Sequence, residues 1–335
     1  MFSISNHALS AINSGLGVVF NLCLLPLIIT KSSPMMGSYK YLLFLYTLQS
    51  VIWGAICYFI TPQVYAAKGY FVCFSGSGYF DVFEGTLVLM AYAFCWIQIV
   101  SIVTLCFLQR YLTLIESPQR DWFTKKSKVC VIVLIDLLMT AAIELIMVWG
   151  YWPAEYKNQI MGEDFKKVTG FDIQKTPYIG APDWIDGELH IKGVFVSGFF
   201  GLYATIASVI IGVIIVRMVR IFSNLLKHTR TRRLEYQTRI FLLLLAQTFF
   251  PVVFNFGPAI MGHFGGILRI DLGSGIAAFC SLISLAQCID PIATFFFVTE
   301  YRAAVFGFFK KPSVEPASTY TGSDQSPTIL ADSNK

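Results

Sequence analysis

The stretch "GTLVLMAYAFCWIQIVSIVTLCFLQRYLTL", residues 85–114, decides the architecture. Residues 85–109 carry no charge and exceed the roughly 20 residues that a helix needs to cross a bilayer core. The run then meets Arg110 and Tyr111. An arginine in that place can anchor a helix at a membrane surface, with its stem in hydrocarbon and its charge in the headgroups. It can also be the working part of a switch, and the rest of the chain has to decide between them.

The chain has 335 residues, of which 56% are hydrophobic and 13% charged. Soluble domains carry about 25% charged residues. A mean hydropathy of +0.64 therefore describes a membrane protein. Seven segments qualify as spans, at about 10–30, 41–65, 85–109, 129–152, 193–216, 240–262 and 272–298. Bilayer hydrocarbon offers no partner for backbone groups, so these segments are expected to be helices. The expected fold is an all-α membrane protein, a seven-transmembrane helix bundle occupying residues 1–311. The first apolar run has no Lys or Arg before Lys31 and no small-residue cleavage site, and reads as a retained span, not a signal peptide.

Lys and Arg are distributed unevenly between the two sides. Segments 31–40, 110–128, 217–239 and 299–335 hold 18 of them, and the alternate segments hold 7. The positive-inside rule then puts the N-terminus outside and the C-terminus in the cytoplasm. The net charge of +5 is thus a leaflet asymmetry and does not point to nucleic acid. Of eight cysteines only Cys73 falls outside the spans, in an outer loop, so no disulfide framework is expected.

The segment 153–192 is long enough to fold over the outer mouth of the bundle. From Arg217 to Arg239 the chain is strongly basic, with Met218, Ile221, Phe222, Leu225 and Leu226 at helical spacing, which extends helix five into the cytoplasm. Tyr301, Val305, Phe308 and Phe309 share one face of a short amphipathic interfacial helix stopped by Pro312. Residues 312–335, rich in Ser, Thr, Pro and Asp, read as a disordered cytoplasmic tail.

Three acids fall inside spans. Asp136 and Glu144 lie near one face of helix four, about 12 Å apart at 1.5 Å per residue. Intramembrane acids are costly and mark functional sites, or are neutral acids bonded to a neighbouring helix; the second reading suits Asp136, and both stand for Glu144. Asp290 precedes Pro291, which frees a carbonyl one turn earlier and allows a kink. Pro251 and Pro258 do the same in helix six, with Gln247 four residues before the first. The histidines His7, His190, His228 and His263 sit in loops or at span ends, so no metal site and no cofactor is expected. No serine stands in a GxSxG elbow, and an enzyme is not expected.

The wording of four stretches, "GLGVVFNLCLLPLIITKSSPMMGSYKYLLFLY", "LQRYLTL", "RLEYQTRIFLLLLAQTFFPVV" and "DPIATFFFVTEYR", resembles the str-type chemoreceptors of nematodes, a family of G-protein-coupled receptors. The resemblance covers roughly residues 10–310, and its most specific pieces are Gly37 to Tyr41 and the pair Gln247 and Pro251. It implies a chemosensory, olfactory-type receptor at the plasma membrane, in a sensory-neuron cilium, for a small odorant-like molecule, coupled to a heterotrimeric G protein. Arg110 and Tyr111 take the place of the rhodopsin-like Asp-Arg-Tyr motif, with Gln109 in place of its acid. Asp290-Pro291 resembles the start of Asn-Pro-x-x-Tyr, with Thr294 where the tyrosine would stand.

The expected ligand pocket lies among the outer halves of helices three, five, six and seven. Met90, Tyr92, Trp96, Tyr203, Phe254 and Asn255 are candidate lining residues, with Glu144 the candidate acid. At the inner end Arg110, Tyr111, Lys227, Arg230, Arg232 and Arg233 would face the G protein, or membrane lipid, while Gln247, Pro251, Asp290 and Pro291 supply the hinge. The alternative is a seven-helix ligand-gated channel or transporter; odorant channels of the insect type carry the N-terminus inside.

Overall fold

Each apolar run becomes a helix, because only a helix or a closed barrel satisfies its own backbone in hydrocarbon. The computed structural model describes residues 4–228, 232–251, 256–272 and 275–309. The helices are α1 (Ile4–Lys31), α2 (Tyr39–Ile60), α3 (Val82–Leu114), α4 (Lys126–Tyr151), α5 (Glu155–Thr169), α6 (Ile191–His228), α7 (Arg232–Pro251), α8 (Gly257–Ile267), α9 (Gly275–Phe297) and α10 (Thr299–Phe309). Among the described residues, α1, α2, α3, α4 and α6 are long and apolar enough to cross a membrane. The expected sixth span is divided between α7 and α8, on either side of residues 252–255, and α9 covers the expected seventh. The tail 312–335 lies outside the described residues.

Burial ranks the spanning helices. In α3, 67% of the most apolar window is buried, against 11% in α4. The third helix is therefore the central rod and α4 the peripheral one. On α4, Leu134, Leu138, Leu145 and Trp149 are all more than half exposed, which is stable only against lipid. Around the rod, α1 packs on α2 and α9, α2 on α3, α6 on α8, and α7 on α9. At its start Asp81 Oδ1 accepts from the Glu84 N–H at 2.7 Å, which satisfies one orphan donor of the first turn.

The bundle itself is helical, as expected, but its connections carry strands that an all-α reading did not include. The connection from α2 to α3 forms a hairpin of β1 (Pro62–Ala67) and β2 (Tyr70–Ser75), and the connection from α4 to α6 adds β3 (Tyr178–Pro182) antiparallel to β2. A second, two-stranded hairpin pairs β4 (Trp184–Ile185) with β5 (Glu188–Leu189). Both hairpins turn on two residues with positive φ, Lys68-Gly69 and Asp186-Gly187, the geometry that matches strand twist. Gly69 is the tighter turn: its φ is +85°, and a Cβ there would lie 2.8 Å from the Trp184 ring.

The three-stranded sheet is a lid with two buried faces. Tyr65, Ala67, Tyr70, Val72, Phe74 and Tyr178 pack against Met161 and Phe165 of α5. The alternate residues Ala66, Phe71, Cys73, Ile179 and Ala181 join the core of the helix bundle. That division follows the two-residue period of a strand. Cys73, the one cysteine outside the spans, is thereby a buried packing residue of the bundle core.

Lys157 of α5 fastens the lid. Its side chain is 1% exposed, and its ammonium donates to Gly150 O at 2.7 Å and to Trp152 O and Gly180 O at 2.8 Å. The first two carbonyls are orphans at the end of α4, and the third belongs to β3. Burial and the like charge of Lys192 push its pKa down to about 7. Trp184 Nε1 donates to Ile267 O at 2.9 Å, and the Arg269 guanidinium stacks 3.7 Å over the Trp184 ring, joining the lid to α8. Replacing Lys157 by Met strands three buried carbonyls and is expected to cost about 3 kcal/mol. Thermal unfolding of the solubilised protein should show the loss, accompanied by faster proteolysis between residues 153 and 190; an unchanged transition would remove Lys157 as the fastener.

Candidate functional site

The helix α3 continues through Leu114, so Gln109, Arg110 and Tyr111 lie within it and each faces a different partner. Gln109 Nε2 donates to Ser38 Oγ at 3.1 Å and to Thr113 Oγ1 at 3.2 Å. Arg110 is 3% exposed, with its guanidinium carbon 3.9 Å from the centre of the Tyr39 ring. Tyr111 accepts from Arg217 Nη1 of α6 at 3.4 Å. Arg110 is therefore no surface anchor. Its charge is carried into the bundle and set against an aromatic face, an attraction worth about 2 kcal/mol when desolvated.

The turn before α2 aims those partners. Met36 N–H donates to Ser33 O and Gly37 N–H to Pro34 O, which closes a tight turn. Gly37 has φ +59°, a conformation open to glycine at little cost, and it delivers Ser38 and Tyr39 to consecutive residues of α3. A cavity of about 630 Å³ opens beside them, lined by Gly37, Ser38, Gln109, Arg110, Arg120 and Asp121 among others.

Seven residues further along α2, on the same face two turns on, the Tyr46 hydroxyl donates to Asp290 Oδ2. Asp290 is buried, and Thr294 Oγ1 donates to its backbone carbonyl at 3.0 Å. Pro291 lacks the N–H that would meet the carbonyl of Gln287, and the Asn21 amide of α1 donates to that carbonyl at 3.4 Å. Gln287 in turn donates to Cys57 Sγ at 3.2 Å. The proline of α9 is thus supported by α1 and α2, and α2 presents one tyrosine to it and another to Arg110.

The lid end gathers fewer of the expected residues. Trp96 of α3 meets Tyr203 of α6 and Phe256 edge-on, with ring centres 6.5 and 6.1 Å apart. Tyr92 turns to α2 and stacks on Trp53 at 5.9 Å. Met90 is buried, and Glu144 faces Cys95 of α3 with both carboxyl oxygens buried and no hydrogen bond. Phe254 and Asn255 lie outside the described residues, as does Arg230; Lys227, Arg232, Arg233, Gln247 and Pro251 are placed by their backbone in α6 and α7. Asp136, expected to be structural, bonds to Ser101 of α3.

A polar cluster under the lid was not expected. His263, read as a span-end residue, is buried in α8, and the Tyr151 hydroxyl lies 3.0 Å from both His263 Nδ1 and Ser197 Oγ. Phe71 of the lid covers the His263 ring at 4.1 Å. Asp183 is fully buried beside Ser197, with neither oxygen in a full hydrogen bond. Helix α8 approaches so closely that a Cβ on Gly266 would sit 2.2 Å from Asp183 Oδ2.

Sequence reasoning passed over Asn21, Tyr39, Tyr46, Asp183 and Gln287. The seven-residue spacing of Tyr39 and Tyr46 and the amide Asn21 within an uncharged span were the available signals.

Long apolar helices thus surround one buried rod, α3, with a lid at one end and a buried arginine at the other, the architecture of a multi-pass membrane protein. The chain matches the family model described as serpentine type 7TM GPCR chemoreceptor Str over residues 6–306, and it belongs to that family. It is also 23% identical, over 306 residues and 87% of each chain, to a Caenorhabditis elegans protein named G-protein coupled receptor str-33. This is a receptor family, not an enzyme family, and the chain is a multi-pass membrane protein.

Tyr39→Leu removes the ring under Arg110 and is expected to lower stability by about 1–2 kcal/mol. Tyr46→Phe should cost about 2 kcal/mol by leaving the buried Asp290 without its donor. Thermal unfolding in detergent reads both, and wild-type transitions would show that neither tyrosine holds the bundle.

Burial raises the Asp183 pKa to about 7, above the ordinary value of about 4. Its contribution to lid docking is therefore complete below about pH 4 and is lost as pH rises through about 7. The Asp183 and Trp184 N–H groups donate to Gly69 O, so their hydrogen exchange reports lid opening. After correction for intrinsic rates, exchange should accelerate between about pH 4 and 7 and level off above, and Asp183→Asn should flatten that dependence.

Proposed function

We propose that this chain is a chemosensory receptor of the olfactory type, which binds a small environmental molecule under its lid and activates a heterotrimeric G protein at the Arg110 end. The observation that carries this reading is that a single buried rod, α3, runs from the lid to the foot, with Trp96 against α6 midway along it and Arg110 against α2 at the foot. A ligand that favours one setting of that rod changes the other end only through its differential affinity for the two settings.

The charge distribution supports an outer lid, a cytoplasmic Arg110 end and an N-terminus outside; membership of the chemoreceptor family supports a site at the plasma membrane of a sensory cilium. Residues 1–311 form the receptor domain and 312–335 its cytoplasmic tail. The ligand contacts are assigned to Met90, Tyr92, Trp96, Glu144, Tyr203, Phe254 and Asn255. Coupling is assigned to Arg110, Tyr111, Lys227, Arg230, Arg232 and Arg233, and the hinge to Gln247, Pro251, Asp290 and Pro291. Tyr39 and Tyr46 join this set as the groups that hold Arg110 and Asp290 at rest.

The test is cyclic-nucleotide and calcium signalling in cells expressing the chain, under a panel of small volatile and water-soluble compounds. A response present in the parent and reduced at least about tenfold in Arg110→Ala, at equal surface level, is expected. A direct current insensitive to G-protein blockade and to Arg110→Ala would identify a ligand-gated channel and overturn the reading.

A further inference from the structure

A groove of about 850 Å³ opens between α2, α3 and α4, away from both the lid and the hinge of α9. Most of its wall is apolar, with Leu42, Leu45, Leu48, Ile102, Leu105 and Val133 among the lining residues. Its outer wall is α4, the least buried of the spanning helices, so it lies at the lipid-facing side of the bundle. The volume falls within the range of small-molecule sites.

Its two ends are polar and differ in chemistry. At one end stand Ser38, Thr124 and Lys126. At the other are Gln49, Gln98 and Asp136. Lys126 and Asp136 are ten residues apart on α4, about 15 Å along the helix. Asp136 spends one oxygen on Ser101, Gln98 donates to Thr140 Oγ1 at 2.5 Å, and Asp136 remains only half buried. The acyl tail of an ordinary phospholipid would lay hydrocarbon over this deep polar end, and a sterol with its hydroxyl at the surface would do the same.

We propose that the groove binds a hydroxylated long-chain carboxylic acid that enters sideways from the bilayer. Lys126 pairs with the carboxylate at the Ser38 and Thr124 end, which fixes the orientation. The hydroxyl along the chain meets Asp136, Gln49 and Gln98, and the methylenes cover the leucines between. Ser38 and Thr124 line both this groove and the cavity beside Arg110. The carboxylate end therefore reaches the side chain to which Gln109 donates, and occupancy bears on the turn that presents Tyr39 to Arg110.

The test uses the full chain in phosphatidylcholine nanodiscs and a hydroxylated long-chain fatty acid carrying a diazirine and an alkyne. Irradiation should label peptides of α2 and α4, saturably, and the unlabelled acid should compete. Lys126→Gln, at an exposed position, should weaken labelling about tenfold, the loss of roughly one charge-assisted bond. A probe without the hydroxyl should bind about tenfold more weakly, and Leu45→Trp should block the groove. Equal competition by a sterol, equal labelling by a photoreactive phosphatidylcholine, or labelling indifferent to Lys126→Gln would each show general lipid contact and overturn the proposal. Since labelling is read without signalling, failure here is distinct from failure of the receptor reading.

Discussion

A guanidinium that cannot lose its proton has been carried inside a bundle of apolar helices, and the arrangement of one end of the molecule follows from accommodating it. Arg110 is buried at the foot of α3, and the neighbouring position is Gln109 where a receptor of the rhodopsin type would place an acid. An aromatic face takes over part of the stabilisation. That in turn requires a turn tight enough to place Tyr39 at the foot of α3, and the turn depends on Gly37. The same helix then carries Tyr46 to Asp290, so α2 bridges the rod and the proline of α9. In this chain α2 supplies the partners of both Arg110 and Asp290.

The lid obeys a different constraint. Its strands must satisfy their backbone away from water while both faces are covered, so the sheet is short, fully buried and tied at its ends by side chains bonded to backbone carbonyls. The ammonium of Lys157 reaches three of them, and the indole of Trp184 a fourth. Asp183 is the exception, a buried carboxyl without a full hydrogen bond, pressed against the glycine backbone of α8. A group of that kind makes closure conditional on its protonation, and it sits where the lid meets the helix that carries His263.

How much of this the sequence discloses depends on the range of the interaction. The spans are legible because roughly 20 consecutive apolar residues have few other uses, and the extension of α6 and the short α10 show in their periodicity. Strands buried on both faces lose the alternation that marks a strand, so the lid was hidden although Lys68-Gly69 and Asp186-Gly187 marked its turns. Arg110 drew attention by its position, but its partner stands 71 residues earlier and no local pattern links them. His263 was placed at a span end because hydropathy locates boundaries and does not say what folds over them.

The same distinction bears on Asp136 and Glu144, which sequence reading grouped as acids on one face of α4. Asp136 finds a hydroxyl on α3 and still borders an open groove, whereas Glu144 is turned against Cys95 with neither oxygen bonded. One acid is satisfied and accessible; the other is enclosed and unsatisfied. An enclosed acid is stable only when neutral or when a bound donor reaches it, and an accessible one can exchange partners with a guest from the bilayer. Since α4 packs on α3 more than on any other element, a change at either acid is felt first by the buried rod. A guest in the groove between α2, α3 and α4 would therefore act on the rod, and through it on Arg110.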